Sequence, residues 1–197
     1  MAESVAMNNY GDTVTFLSGA KLVLPRQFMW AGMRVIRKQG SASLFFDGAS
    51  KNNPRGPAGY GFRIVDGSGD EVVQGYGYAG MNRSNNEMEY EGLLEGLVWA
   101  LRLDLVSLTV CGDSELILNQ VSGKYTIKNH RLQALHAKVH AMLNEGKEFE
   151  DPLTISYRHV SRNQNAICDS LANLAIATKK TVITVNWPNA NKLKMTE

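Results

Sequence analysis

The chain has 197 residues, 44% of them hydrophobic and 20% charged, the balance of one ordinary globular domain with something left over, not of a disordered chain. No apolar run approaches the ~20 residues of a membrane span. The first twenty residues carry neither a secretory nor a transit pattern, and two cysteines, Cys111 and Cys168, cannot build a disulfide framework. An intracellular protein with reduced thiols, cytoplasmic or nuclear, is expected. The net charge of +2 hides a division: residues 1–42 carry +3, residues 178–197 carry +3, and residues 43–177 carry −4. An acidic centre either repels phosphates or recruits cations that reverse its charge.

In chain order, Thr13–Leu17 and Lys21–Leu24 suggest a hairpin. Ser43–Ala49 is an apolar run broken at Gly48 and reads as a strand that ends at Asp47. Asn52–Gly61 is turn chemistry throughout. Tyr60–Val65 and Glu71–Tyr78 flank the turn at residues 66–70 and read as a hairpin. Gly75, Gly77 and Gly80 suggest that its second strand is bulged or at an edge. Ser84–Leu103 is the clearest helix. Ser84 or Asn85 caps it, acidic residues crowd its first turns, and Leu94, Leu97, Val98 and Leu101 share a face.

Val106–Cys111 follows as a strand. Asp113–Val121 is a short helix stopped by Gly123. Asn129–Asn144 is an amphipathic helix through Leu132, Leu135, Val139 and Leu143. Leu153–Val160 is a strand, Arg162–Thr178 a closing helix, and residues 181–186 could add one more strand. The order β-β-β-α-β-α-α-β-α implies a mixed sheet with helices on both faces. We divide the chain into an N-terminal extension at 1–42, an α/β domain at 43–178 and a basic tail at 179–197.

Four carboxylates stand out, each in a different element. Asp47 precedes a glycine at a strand end, where it can project into a cleft or simply form a turn. Glu89 lies off the stripe of Glu87, Glu91 and Glu95, which reads as solvated surface. Gly92 and Gly96 follow it on the helix. Each glycine costs about 1 kcal/mol relative to alanine, so each implies close approach of a backbone or a ligand. Asp113 begins a helix and can be a cap. Asp169 lies between Ile167 and Leu171 in an apolar segment, where a charge is costly unless paired or metal-bound. If the four converge, they must share protons or bind divalent cations. Carboxylates without clustered His or Cys favour Mg²⁺ or Mn²⁺.

Taken together, FFDGASKNNP, SNNEMEYEGL, CGDSEL and RHVSRNQNAICDSLANLA resemble type 1 ribonuclease H, in its short, reverse-transcriptase-like branch, over roughly residues 43–177. The resemblance implies a three-layer α/β/α fold around a five-stranded mixed sheet. It puts the family's metal-binding acids at Asp47, Glu89, Asp113 and Asp169, and its mobile catalytic histidine at His159. Asn53, Asn85 and Asn86 fall where the family contacts the RNA and DNA strands. Ala49 and Ser50 fall in the loop whose backbone approaches the RNA. Arg55 is an extra residue in the following turn, Glu115 replaces a glutamine found in some members, and the long basic protrusion of some bacterial members is missing.

The implied activity is hydrolysis of the RNA strand of RNA/DNA hybrids, leaving 5′-phosphate and 3′-hydroxyl ends. Two divalent ions ~3.5–4 Å apart supply activated water and charge neutralisation for such chemistry. In our assignment Asp47 bridges the two ions, Glu89 and Asp113 complete the leaving-group side, and Asp169 the water side. His159 moves a proton or assists product release. Lys124, Lys128 and Arg131 could meet the DNA backbone.

No membrane and no obligate protein partner is expected. The alternatives are a catalytically weak nucleic-acid-binding module of the same fold, or another nuclease of the superfold. His136 and His140 read as surface residues, the two cysteines as buried packing, and Trp30, Trp99 and Trp187 as core or patch residues.

Overall fold

The computed structural model describes residues 40–103, 105–145 and 153–186, together with the backbone of 3–8, 11–15 and 21–24. Trp30 and Trp187 lie outside the described residues. The elements are β1 (Glu3–Asn8), β2 (Gly11–Thr15), β3 (Lys21–Leu24), β4 (Ser41–Ser50), β5 (Pro57–Asp66), β6 (Glu71–Met81), α1 (Asn85–Arg102), β7 (Ser107–Gly112), α2 (Glu115–Val121), α3 (His130–Glu145), β8 (Thr154–His159), α4 (Arg162–Thr178) and β9 (Thr181–Val185). Asn52–Gly61 is not turn throughout: β5 already starts at Pro57, and the turn is confined to residues 51–56. Among the described residues, no helix is long and apolar enough to cross a membrane.

The strands form one mixed sheet in the order β3-β2-β1-β9-β6-β5-β4-β7-β8. The five strands β4–β8 form the expected mixed sheet, but the strand count is higher than five. β9 leaves α4 and pairs antiparallel with Val73–Tyr76 of β6, and β1 pairs antiparallel with all of β9. An open strand edge presents unpaired amides and carbonyls, and β9 satisfies those of β6. β6 is therefore not an edge strand. It is bulged, as expected: Ala79 and Val72 of β6 are the extra residues where its register against β5 shifts, at Ala58/Gly59 and Ile64/Val65. The glycines of β6 serve a different purpose: Gly75 and Gly77 sit opposite Phe62 and Tyr60, whose rings occupy the space a β-carbon would need.

Helices cover both faces. α1 lies on one face, where Leu44, Phe46, Tyr90, Leu93, Leu97 and Leu108 are among the buried core residues. α3 packs on α1 and buries Leu132, Leu135, Val139 and Leu143. α4 lies on the other face, close enough that a β-carbon at Gly61 would meet the Cys168 carbonyl oxygen at 2.5 Å. Its buried residues are accordingly small: Cys168, Ala172 and Ala175, with Ile176.

Candidate active site

The site sits where the sheet changes direction. β4 pairs antiparallel with β5 through Ser50, but its parallel pairing with β7 stops at Phe45–Cys111. Beyond that point the β7 side of β4 opens, the crevice in which α/β sheets place functional groups. Asp47 sits at this opening. It lies within β4, not at its end, because β4 continues three residues further against β5.

Glu89 reaches the opening from α1. Ser84 caps that helix in a capping box: its hydroxyl accepts from the Glu87 amide at 3.2 Å, and the Glu87 carboxylate accepts from the Ser84 amide at 2.8 Å. Gly48 lets helix and strand touch, since a β-carbon there would collide with the Glu89 amide nitrogen. At Gly92 the approaching group is backbone: a β-carbon would lie 3.0 Å from the Gly61 carbonyl oxygen and 3.1 Å from that of Asp47. Gly96 makes room for Leu44. The two helix glycines thus mark helix–sheet contact and not a ligand.

Asp113 follows β7. Ser114, not Asp113, caps α2, accepting from the Ile117 amide at 3.4 Å. The Asp113 carboxylate is thereby left to the site. Ligand oxygens of Asp47, Glu89 and Asp113 all lie within 4.8 Å of one another.

Burial first, and the neighbouring Asp113 second, push the Asp47 carboxyl up to about 7; the charge of Asp169 adds to this, while Arg162 and the Gly48 amide oppose it. Burial pushes Glu89 well above the usual carboxylate range, reinforced by Asp47 and Asp113. Glu89 Oε2 is buried with no hydrogen-bond partner. Three convergent hard oxygen donors, one of them orphaned and all lacking sulfur or imidazole company, fit a Mg²⁺- or Mn²⁺-type ion.

Asp169 stands apart from the other three. It is exposed on α4 and outside the 4.8 Å group, although its charge reaches Asp47. The expectation that an apolar segment buries Asp169 is therefore incorrect, because Ile167 and Leu174 of that segment are themselves exposed. Asp169 Oδ1 accepts from Asn173 Nδ2 at 3.2 Å, and Asn173 Oδ1 accepts from Lys51 Nζ at 2.9 Å. His159, also exposed, places Nε2 3.2 Å from the Asp113 carbonyl oxygen.

The strand-contact candidates gather at the α1 N-terminus. Asn53 Oδ1 accepts from the Asn85 amide at 3.2 Å, and Ser50 Oγ donates to the Arg83 carbonyl at 2.6 Å. Ala49 and Asn86 are half-buried beside them. Glu87 is not solvated: it is 3% exposed and pairs with Arg83 at 3.3 Å and Arg131 at 3.8 Å. Lys124, Lys128 and Glu115 are exposed. Arg55 closes the 51–56 turn through its amide on the Asn52 carbonyl. His136 and His140 are half-buried rather than surface residues, with ring centroids 4.2 Å apart and His136 Nε2 3.1 Å from the Gln120 carbonyl. Cys111 and Cys168 are buried and unpaired by disulfide.

Two residues escaped the sequence reading. Arg162 approaches Asp113 Oδ2 with Nε at 3.9 Å. Asn165, 1% exposed, donates from Nδ2 to the Phe46 carbonyl at 2.9 Å and to Asp113 Oδ1 at 2.8 Å. The available signal was an amide one helical turn before Asp169.

This fold and acid group define a ribonuclease H-like domain. The profile of the reverse transcriptase-like family matches residues 45–175, and the chain belongs to that family. Ribonuclease HI of Halobacterium salinarum is 33% identical over 137 residues, which cover 70% of this chain and 65% of that protein. The crystal structure of RNase H1 from Halobacterium salinarum superimposes with a TM-score of 0.63 at 31% identity, covering 71% of this chain and 99% of that one.

The bifunctional protein Rv2228c of Mycobacterium tuberculosis is 34% identical over 130 residues, covering 66% of this chain. The matched segment spans only 34% of that mycobacterial protein. LC11-RNase H1, solved in complex with an RNA/DNA hybrid, matches with a TM-score of 0.62 at 32% identity over 70% of this chain and 98% of that one.

Proposed function

We propose that this protein is a ribonuclease H, an endonuclease that hydrolyses the RNA strand of RNA/DNA hybrids and leaves 5′-phosphate and 3′-hydroxyl ends. The observation that carries the reading is the trio of buried Asp47 and Glu89 with half-buried Asp113, their oxygens within 4.8 Å, in a chain whose relatives are ribonucleases H. Residues 43–178 form the catalytic unit, within the cytoplasm or nucleus of its cell.

Asp47, Glu89, Asp113 and Asp169 would hold two Mg²⁺ ions, with Mn²⁺ able to substitute. Bound there, such ions supply a nucleophilic water and neutralise the leaving oxygen. The chain's own residues do the rest. Asp47 and Glu89 give up protons that burial otherwise holds on them. His159, whose Nε2 meets the Asp113 carbonyl, can swing to take or return a proton at the reacting centre. Asn85, Asn86 and Asn53 form a short polar rim for a shallow minor groove, and the backbone of Ala49 and Ser50 reads the 2′-hydroxyl. Base edges go largely unread, so sequence preference is weak.

The test is cleavage of an end-labelled hybrid with Mg²⁺, Mn²⁺ or EDTA, beside Asp47→Asn. The expected result is metal-dependent cutting of the RNA strand, which Asp47→Asn abolishes. Binding of the hybrid without cutting would identify a binding module instead.

A further inference from the structure

We infer that Asn165 is a positioning residue: its buried amide is a side-chain rung joining β4 to the end of β7, and it sets the separation of Asp47 and Asp113. The parallel ladder between these strands stops at Phe45–Cys111. The next β4 residue, Phe46, has its carbonyl satisfied by Asn165 Nδ2 at 2.9 Å, and the same nitrogen donates to Asp113 Oδ1 at 2.8 Å. Asp47 is the residue after Phe46, so one amide nitrogen ties the β4 backbone beside Asp47 to the Asp113 carboxylate.

The chemistry of the amide makes this orientation exclusive. Nδ2 carries two protons, one for each acceptor. Turning the amide over would set Oδ1 against a carbonyl and a carboxylate, with no proton between them. The price of the arrangement is visible in Oδ1, which is buried without a partner. A purely structural asparagine in a core contact would not leave an acceptor unsatisfied in order to serve a carboxylate.

The bond also differentiates the two oxygens of Asp113. Oδ1 is engaged by Asn165, while Oδ2 faces Arg162. Asn165 therefore fixes the direction of the Asp113 carboxylate and leaves its remaining lone pairs for a cation. Partners of this kind change metal affinity by roughly 10–100-fold when removed. Asn165 is held in turn by α4, whose small buried face lets the helix sit close on β5.

The inference rests on the proposed metal site, so its test reads the metal directly. Mn²⁺ binding to the whole protein, without hybrid, is measured by electron paramagnetic resonance for the wild type, Asn165→Ala, Asp113→Asn and the double variant. Ile64→Val, a truncation in the core on the α1 face, controls for lost stability. Asn165→Ala should weaken Mn²⁺ binding at least tenfold, Ile64→Val should not, and Asn165→Ala should add nothing once Asp113 is already asparagine.

Unchanged Mn²⁺ affinity in folded Asn165→Ala would overturn the inference, as would an equal loss in the Asp113→Asn background. If alanine prevents folding, Asn165→Leu, which fills the same space without a donor, carries the same test with the same expected and overturning results. A wild type that binds Mn²⁺ but leaves the hybrid intact sinks the nuclease reading and not this one.

Discussion

Two halves of the proposed site are built differently. Asp47 and Glu89 are buried, each 9% exposed, and locked by strand–helix contact at Gly48 and by the capping box of α1. Asp169 and His159 are exposed, on α4 and β8, with one amide and one carbonyl as their recorded partners. The first half is positioned by folding. The second half is open to solvent, from which metal and nucleic acid would arrive in the proposed reaction. Folding can hold like charges together only by raising their proton affinity, and both Asp47 and Glu89 are raised. The open half has no such burden, and its groups can adapt to a reacting centre.

The largest effect should follow from breaking the locked half. Glu89→Gln keeps the shape of α1 but removes a charge from the trio, and should lower hybrid cleavage by at least about 10³-fold, the scale of a preorganised electrostatic contact. Its melting temperature without metal should be equal to or above that of the wild type, since a buried carboxyl is replaced. Cleavage within tenfold of wild type would remove Glu89 from the machinery. His159→Ala, in the open half, should cost about 10²-fold in kcat with KM nearly constant. A loss matching that of Glu89→Gln would mean that the two halves do not differ.

Metal binding should show the same division through pH. The Asp47 carboxyl, ordinarily near 3.8, is raised to about 7 in the folded protein. Between these values the unfolded chain has lost a proton that the folded protein keeps. Without divalent ions, this group's contribution to stability is therefore present at low pH and lost as pH rises through about 7. Mg²⁺ binding must displace that proton, so the Asp47 share of apparent Mg²⁺ affinity should rise up to about tenfold per pH unit between pH 5 and 7, with the proton held on Glu89 adding to the slope. Calorimetry in buffers of different ionisation enthalpy would count the released protons. An affinity independent of pH across this window would show that Asp47 is already ionised.

The locked half was legible in the sequence for reasons only partly right. Gly92 and Gly96 marked close approach beside Glu89, and what approaches is the β4 and β5 backbone at Gly92 and the Leu44 side chain at Gly96. Asp113 could be a cap until Ser114 was seen to fill that role. For Asp169 the burial argument fails. α4 packs against glycines of β5, so its buried face consists of small residues while Ile167 and Leu174 face outward. Side-chain size then stops reporting which face is inside. Glu87 shows the converse: its helical period said surface, but Arg83 and Arg131 cover it. The pairing of β9 with β6, across a hundred residues of chain, has no local signature at all.

The smallest effect should come from the rim. Asn85 begins α1, and its amide nitrogen is taken by Asn53 Oδ1 at 3.2 Å. Asn85 itself is exposed. Asn85→Ala removes one neutral hydrogen-bonding group without disturbing the trio or the Ser84 cap. One such bond contributes about 1 kcal/mol, which is about fivefold in affinity. The change should fall on KM for the hybrid, with kcat and Mn²⁺ binding as in the wild type. Asn53→Ala should cost more than Asn85→Ala, because it also strips the acceptor that meets the Asn85 amide and so loosens the start of the helix that carries Glu89. If Asn53→Ala lowered kcat while Asn85→Ala did not, the rim would be coupled to the locked half through α1. If both changed KM alone, the rim would only hold substrate, and the separation between a folded-in metal grip and an adaptable surface would be sharper.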